Sequence, residues 1–224
     1  MKIKTSDFRY GILDIEGTLL DNKKLYRKLL AILGYLSYLD ILDVLLKNSF
    51  EAYLPSGGIL LPWPARLIYR CLPWLKFPVL AGEKVILFFF EVIDEKEPEL
   101  FTGAKELLMK FQEEEILLFG SSGSKTVVIE NHLKRLELLD LFALVVGADQ
   151  APKREHLHLF ADYLNLPFEE FAQQAFWVSD GLVDINLCGK YKVYGIGVAH
   201  THHPVILRRV GAKEVIPRLK ELVL

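Results

Sequence analysis

The sequence predicts an α/β fold: a doubly wound parallel sheet, interrupted after its first strand by a mostly helical insert. Three observations carry this expectation. From about residue 99 onward, apolar runs of strand length alternate with segments of helical periodicity, the pattern of a parallel sheet covered on both faces. The first apolar run, 10–15, ends in two carboxylates, Asp14 and Glu16. Residues 21–98 do not keep that rhythm. At 224 residues and 25.7 kDa the chain can bury one large domain, or one domain with a smaller insert. The expected division is a core of 1–20 with 99–224, and an insert of 21–98.

The elements follow in order. The buried run 10–15 is the first strand, and residues two apart on it share a face, so Asp14 and Glu16 converge on one side. In the insert, 23–47 reads as one long helix with a narrow polar stripe at Ser37, Asp40, Asp43 and Lys47. Pro55, Gly57 and Gly58 break it. Pro62 and Pro64 flank Trp63, and 66–74 fits a short helix. The apolar run 85–90 fits either a buried helix or a strand. Beyond it, 102–111 reads as a helix capped by Thr102, and 116–119 as a short strand. Residues 125–135 carry Val128, Ile129 and Leu133 at helical spacing. A strand at 144–146 precedes a helix that Pro152 opens at its first position and that runs to about Leu164. Strands at 176–178, 193–198 and 214–216 complete the sheet.

Composition narrows the function classes. A net charge of −2, from 27 basic and 29 acidic residues, provides no basic field for nucleic acid. The mean hydropathy of +0.24 is high, yet charges interrupt every apolar run before the roughly 18 residues a membrane span needs. No apolar signal segment precedes the first strand, and Cys71 and Cys188 have no metal or redox spacing, so a reducing cytoplasm is the expected location. The scarcity of Asn and Gln leans toward a thermophilic source.

Four chemistry-bearing stations appear, each following an expected strand. They are Asp14 and Glu16 with Gly17 and Thr18; Ser121, Ser122, Gly123 and Ser124; Lys153; and Ser179, Asp180 and Gly181 with Asp184. Open α/β sheets build their ligand sites at the carboxyl ends of strands, where all four fall. Taken singly, each has a plainer reading. Ser121 fits a helix cap, Lys153 a solvated helix start, and Asp180 and Asp184 a turn acid and a helix-face acid. Their joint order is what lifts them. His200, His202 and His203 form a loop cluster of the kind that suits a softer metal, without an acid beside it. His156 and His158 point to different faces of their helix and carry no functional reading.

Asp14-x-Glu16-Gly17-Thr18, then Ser121, then Lys153, then Asp180-x-x-x-Asp184 resembles the four-motif signature of the haloacid dehalogenase superfamily, most of whose members are Mg²⁺-dependent phosphatases. The resemblance covers 9–20 and 99–224, and the tail with Gly211-Ala-Lys-Glu-Val-Ile216 is similar to phosphoglycolate-phosphatase-like members. It implies a Rossmann-like core and, at 21–98, a helical cap closing over the site. It also implies a small-molecule phosphate ester as substrate, Asp14 as nucleophile, Glu16 as general acid and base, and Lys153 as a charge beside both. Thr18, Ser121, and the amides of Ser122 and Gly123 would hold phosphoryl oxygens. Mg²⁺ would lie between Asp14, the main-chain carbonyl of Glu16, and Asp180, with Asp184 behind them orienting a metal-bound water or Lys153. The family's phosphatases usually carry Asp where Glu16 stands. Dehalogenases lack an acid there, so Glu16 argues for phosphoryl chemistry. The first motif with Ser-Ser-Gly-Ser also resembles the enolase-phosphatase of methionine salvage, a similarity that conflicts with the tail, so no substrate transfers from either. The apolar insert (Trp63, Trp74, Phe77, Phe88, Phe89, Phe90) fits cap packing, a homodimer surface, or a pocket for an apolar group or lipid. Arg66 and Arg70, four apart, fit a solvated face or a contact to a substrate anion. A phosphomutase and a non-catalytic interaction module remain as alternatives.

Overall fold

A computed structural model describes residues 8–21 and 99–222. They belong to one compact unit, Met1–Asn22 with Pro98–Leu224. The helices, the aromatic cluster, the Arg66 and Arg70 pair and the homodimer surface expected within 22–98 lie outside the described residues.

Six strands form one sheet: β1 (Tyr10–Asp14), β2 (Leu117–Ser121), β3 (Phe142–Val146), β4 (Ala175–Ser179), β5 (Tyr194–Val198) and β6 (Glu214–Ile216). Their spatial order is β3-β2-β1-β4-β5-β6 and every pairing is parallel. The helices between them are α1 (Ala104–Glu113), α2 (Thr126–Arg135), α3 (Lys153–Tyr163), α4 (Phe168–Gln173), α5 (Leu182–Tyr191) and α6 (Pro204–Val210). The chain runs outward from β1 through β2 to β3, then crosses back to start β4 on the other side. The switch in direction therefore falls at β1, and the crevice at its carboxyl end is where such sheets bind ligands.

Alternation along the strands explains why both faces are apolar. Ile12, Phe119, Val146 and Trp177 lie in one buried cluster with Phe160 and Phe171, while Leu13, Leu118, Val145 and Val178 lie in the other with Leu108 and Phe111. Ile12 stands in register with Phe119 on one neighbour and Trp177 on the other, so the layer is continuous across the three central strands. Each large apolar side chain buried this way contributes about 2 kcal/mol.

Several boundaries differ from expectation. Thr102 is exposed and caps nothing; α1 begins after Gly103, which at φ 89° holds a left-handed conformation suited to glycine. A Cβ at 103 would also meet the Lys220 Cβ at 2.7 Å. Pro152 is the extended residue before α3 (ψ 146°), so Lys153, not Pro152, is the first helical position. β2 extends to Ser121, which makes that serine a strand residue instead of a loop or cap residue.

Candidate active site

The carboxyl ends of β1, β2 and β4 place Asp14, Ser121 and Ser179 at one edge of the sheet, with Asp14 and Ser121 in register. Asp14, Thr18, Ser121, Ser122, Ser179, Asp180 and Asp184 are all buried there. Burying this many polar groups is costly unless each finds a partner, and the network of partners is what defines the site. After β1 the chain turns tightly, with Leu19 N and Leu20 N both donating to Ile15 O at 3.0 and 2.9 Å. That turn brings Thr18 back over Asp14. Gly17 sits at its tip at φ 83°, and a Cβ there would approach both Asp180 carboxylate oxygens to 2.9 Å. Glycine at 17 is thus required twice, by the backbone and by the neighbour.

On the β4 side, one lysine serves two acids. Lys153 Nζ lies 2.6 Å from Asp14 Oδ1 and 2.9 Å from Asp184 Oδ2. Asp184 projects from the first turn of α5, and its Oδ2 also accepts from the Ser179 hydroxyl at 2.7 Å. Its Oδ1 is buried without a hydrogen-bond partner among the described residues. The Thr18 hydroxyl reaches Asp14 Oδ2 at 3.0 Å and Asp180 Oδ1 at 3.1 Å, and accepts from the Asp180 amide at 2.9 Å. Thr201, in the loop after β5, donates to Asp180 Oδ2.

Formal charges do not balance here. Asp14, Asp180 and Asp184 carry three negative charges when ionised, against the single ammonium of Lys153, an excess of two. The consequence is visible at Asp14. Burial, then repulsion from Asp184 and Asp180, hold its carboxyl well above the usual range, although Lys153 pulls the other way. Burial pulls the Lys153 ammonium down, but Asp14 and Asp184 more than offset this, so the lysine stays charged. An oxygen-only donor set with an excess of two negative charges fits a hard divalent cation. Among the described residues no three His, Cys, Asp or Glu side chains group as a ready metal site.

The β2 side is built from hydroxyls. Ser122 and Ser124 both donate to Glu16 Oε2, at 2.9 and 2.5 Å, and the Ser124 amide donates to the Ser122 hydroxyl at 3.0 Å. Glu16 is therefore directed across to the β2 loop, which accommodates its extra methylene. The Ser122 amide donates to Val146 O at 3.0 Å, which differs from the expectation that it faces a phosphoryl group. The Gly123 amide has no partner among the described residues, and nothing lies within 4 Å of where its Cβ would be. Ser121 does not cap α2: its hydroxyl is 2.8 Å from His156 Nδ1, and the Thr126 amide is met instead by Asp149 Oδ1 at 2.7 Å.

Asp14, Thr18, Lys153, Asp180 and Asp184 thus form one network, and Glu16 with Ser122 a second; Ser121 joins His156. Among the described residues the histidine loop groups with no further His, Cys, Asp or Glu into a metal site. His200 meets Gly17 O at 3.0 Å and stacks on Phe101, while His203 caps α6 by accepting from Val205 N. The residues that sequence reasoning missed are His156 and Thr201; Ser124 and Ser179 stood in their stations without a role of their own. His156 was detectable from its place three residues beyond Lys153, on the same helix face. No local signal pointed to Thr201.

No family model and no curated protein matches the sequence. Solved structures do. A haloacid dehalogenase-like hydrolase from Streptococcus pneumoniae superposes with a TM-score of 0.68 at 16% identity, covering 96% of this chain and 97% of that one. A protein described as a phosphoglycolate phosphatase, from Haemophilus somnus, gives 0.67 at 15%, covering 96% of each chain. One described as a β-phosphoglucomutase, from Thermotoga maritima, gives 0.62 at 18%, again covering 96% of each. Likeness at this level of identity establishes the fold, which is haloacid dehalogenase-like.

Proposed function

We propose that this chain is a Mg²⁺-dependent phosphatase that hydrolyses a small phosphate monoester through an aspartyl-phosphate on Asp14. The observation that carries the reading is the placement of Asp14. It is a buried carboxylate at the central strand end, 2.6 Å from the Lys153 ammonium and linked through one hydroxyl to Asp180. An Asp14 oxygen attacks phosphorus, the bond to the leaving alcohol breaks, and Glu16 gives that alcohol its proton. Water then attacks the acyl phosphate, Glu16 takes the proton back, and phosphate leaves with Asp14 restored. Lys153 neutralises charge that builds on the phosphoryl oxygens and keeps Asp14 aligned. Asp14, Asp180 and the Glu16 carbonyl would hold Mg²⁺, whose charge lets an anionic carboxylate approach an anionic phosphate. Asp184 anchors Lys153. The Gly123 amide is the free donor for a phosphoryl oxygen, and residues 21–98 would form a helical cap that excludes water and selects the substrate.

The test is phosphate release from a panel of monoesters with Mg²⁺ present, comparing wild type with Asp14→Asn and with a chelator. Loss in both is expected, by about 10⁴-fold or more for Asp14→Asn. Turnover that survives either change would refute the mechanism. A phosphomutase uses the same first step, and it would yield an isomeric phosphate without free phosphate.

A further inference from the structure

Ser121 and His156 settle which way one proton points. His156 Nε2 lies 2.8 Å from the main-chain oxygen of Ala151, and a carbonyl oxygen can only accept, so Nε2 carries a hydrogen in every charge state. A neutral imidazole then has a bare Nδ1, and this atom is 2.8 Å from Ser121 Oγ. The serine hydroxyl must therefore donate to it. Ser121 has one proton, and it points away from the position a phosphoryl group would take beside Asp14.

The geometry points to a proton requirement: a fully ionised tetrahedral oxyanion docks at Ser121 only when His156 is protonated on both ring nitrogens. In that form Nδ1–H donates to Ser121 Oγ, and the hydroxyl proton is released to turn toward the anion. One proton enters from solvent with each anion bound and forms the Nδ1–H bond, the Ser121 hydroxyl only rotates, and no bond between heavy atoms is made or broken. This rests on the reading of Ser121 as part of a phosphate site, and it adds a positioning role for His156 that the proposed mechanism does not use.

The surroundings of His156 favour the neutral ring before an anion arrives. Both Ser121 and His156 are fully buried. Burial comes first and lowers the imidazole to about 4; Lys153 adds to this, while the Ala151 carbonyl, Asp184 and Glu155 oppose it. The Phe160 ring closes one side. A dianion placed against Ser121 supplies the missing negative charge and raises the ring. Binding is consequently strong at low pH and lost as pH rises through the value of the bound ring, by about tenfold per pH unit.

Sulfate is the probe, because it stays a dianion where phosphate itself titrates. Histidine-ring NMR on the full chain with MgCl₂ at about pH 6 reads the charge directly, since an unperturbed imidazole titrates near there. The expected result is a neutral His156 with its hydrogen on Nε2 in sulfate-free protein, and an imidazolium at saturating sulfate. A ring that stays neutral at saturation overturns the inference and leaves the phosphatase reading intact. Absence of sulfate binding at every pH overturns the inference too, while the phosphatase reading stands or falls on phosphate release. Asp14 could also take up a proton, so sulfate affinity is compared in Asp14→Asn with and without His156→Asn. The pH slope should persist in the single variant and vanish in the double. A slope already absent in Asp14→Asn assigns the proton to Asp14 and sinks the idea. Should the double variant not fold, the wild-type NMR result decides alone.

Discussion

On the β4 side of Asp14 the strand ends gather acids; on the β2 side they gather hydroxyls. Asp180 and Asp184 are tied down by Thr18, Thr201, Ser179 and Lys153, each of which donates a hydrogen bond to a carboxylate. Across β1, Ser122 and Ser124 donate to Glu16, and Ser121 to His156. The same backbone device, a strand ending beside a helix start, is furnished with two acids and a lysine on one flank and with hydroxyls around a single acid, Glu16, on the other. The lesson is that topology supplies the crevice, while the side chains next to each strand end decide the chemistry of each flank.

Substitutions on the acid flank should weigh most. Lys153→Met leaves Asp14 and Asp184 buried beside each other without a cation, and should lower stability in urea by about 3–5 kcal/mol at neutral pH. The loss should shrink at lower pH, where the acids protonate. Asp14→Asn should act in the opposite sense on stability while abolishing turnover. Asp14 binds its proton more tightly folded than unfolded. Its contribution is therefore complete only below the unfolded carboxyl value of about 3.9, and it is lost as pH rises through the folded one. At neutral pH without metal, Asp14→Asn should consequently melt at a higher temperature than wild type. Mg²⁺ should raise the wild-type melting point, by an amount equivalent to about 2.7 kcal/mol at a hundredfold excess over its Kd. A protein indifferent to Mg²⁺ in this assay would break the contrast between the flanks.

Smaller effects sharpen the comparison. Thr18→Val removes the hydroxyl that links Asp14 to Asp180 and should cost about 1–3 kcal/mol in a melt, with Thr18→Ser restoring most of it. Asp149→Ala lies on the hydroxyl flank, where it removes the acceptor for the Thr126 amide. It should cost about 1 kcal/mol and leave phosphate release unchanged.

Much of this was legible in the chain. The sheet and its six strands followed from apolar periodicity, a local pattern, and the four stations from the joint order of acids, serines and a lysine after those strands. What escaped was non-local. Thr201 donates to Asp180 across 21 residues and leaves no mark in its own neighbourhood; Ser124 stood in its station, but its reach to Glu16 across 108 residues did not show in the chain. Ser121 was read as a possible cap since a serine before a helix usually is one; that role falls to Asp149, which is 23 residues from Thr126. His156 was dismissed on helix geometry, yet its ring is fully buried against a strand serine.

The chain leaves the sheet at Asp21 and comes back at Glu99 within a single hydrogen bond. Asp21 N donates to Glu99 O and Phe101 N to Leu19 O, both at 2.8 Å, with Leu20 and Leu100 bridged antiparallel between them. Departure and return are thus stapled side by side, and the register of the strands does not depend on how many residues travel between. Doubling the length of such an excursion costs only about 0.6 kcal/mol in closure entropy. Residues can be added or removed between Asp21 and Glu99 while the sheet keeps its register, so the strand ends that carry Asp14 and Ser121 are insulated from changes in that detour.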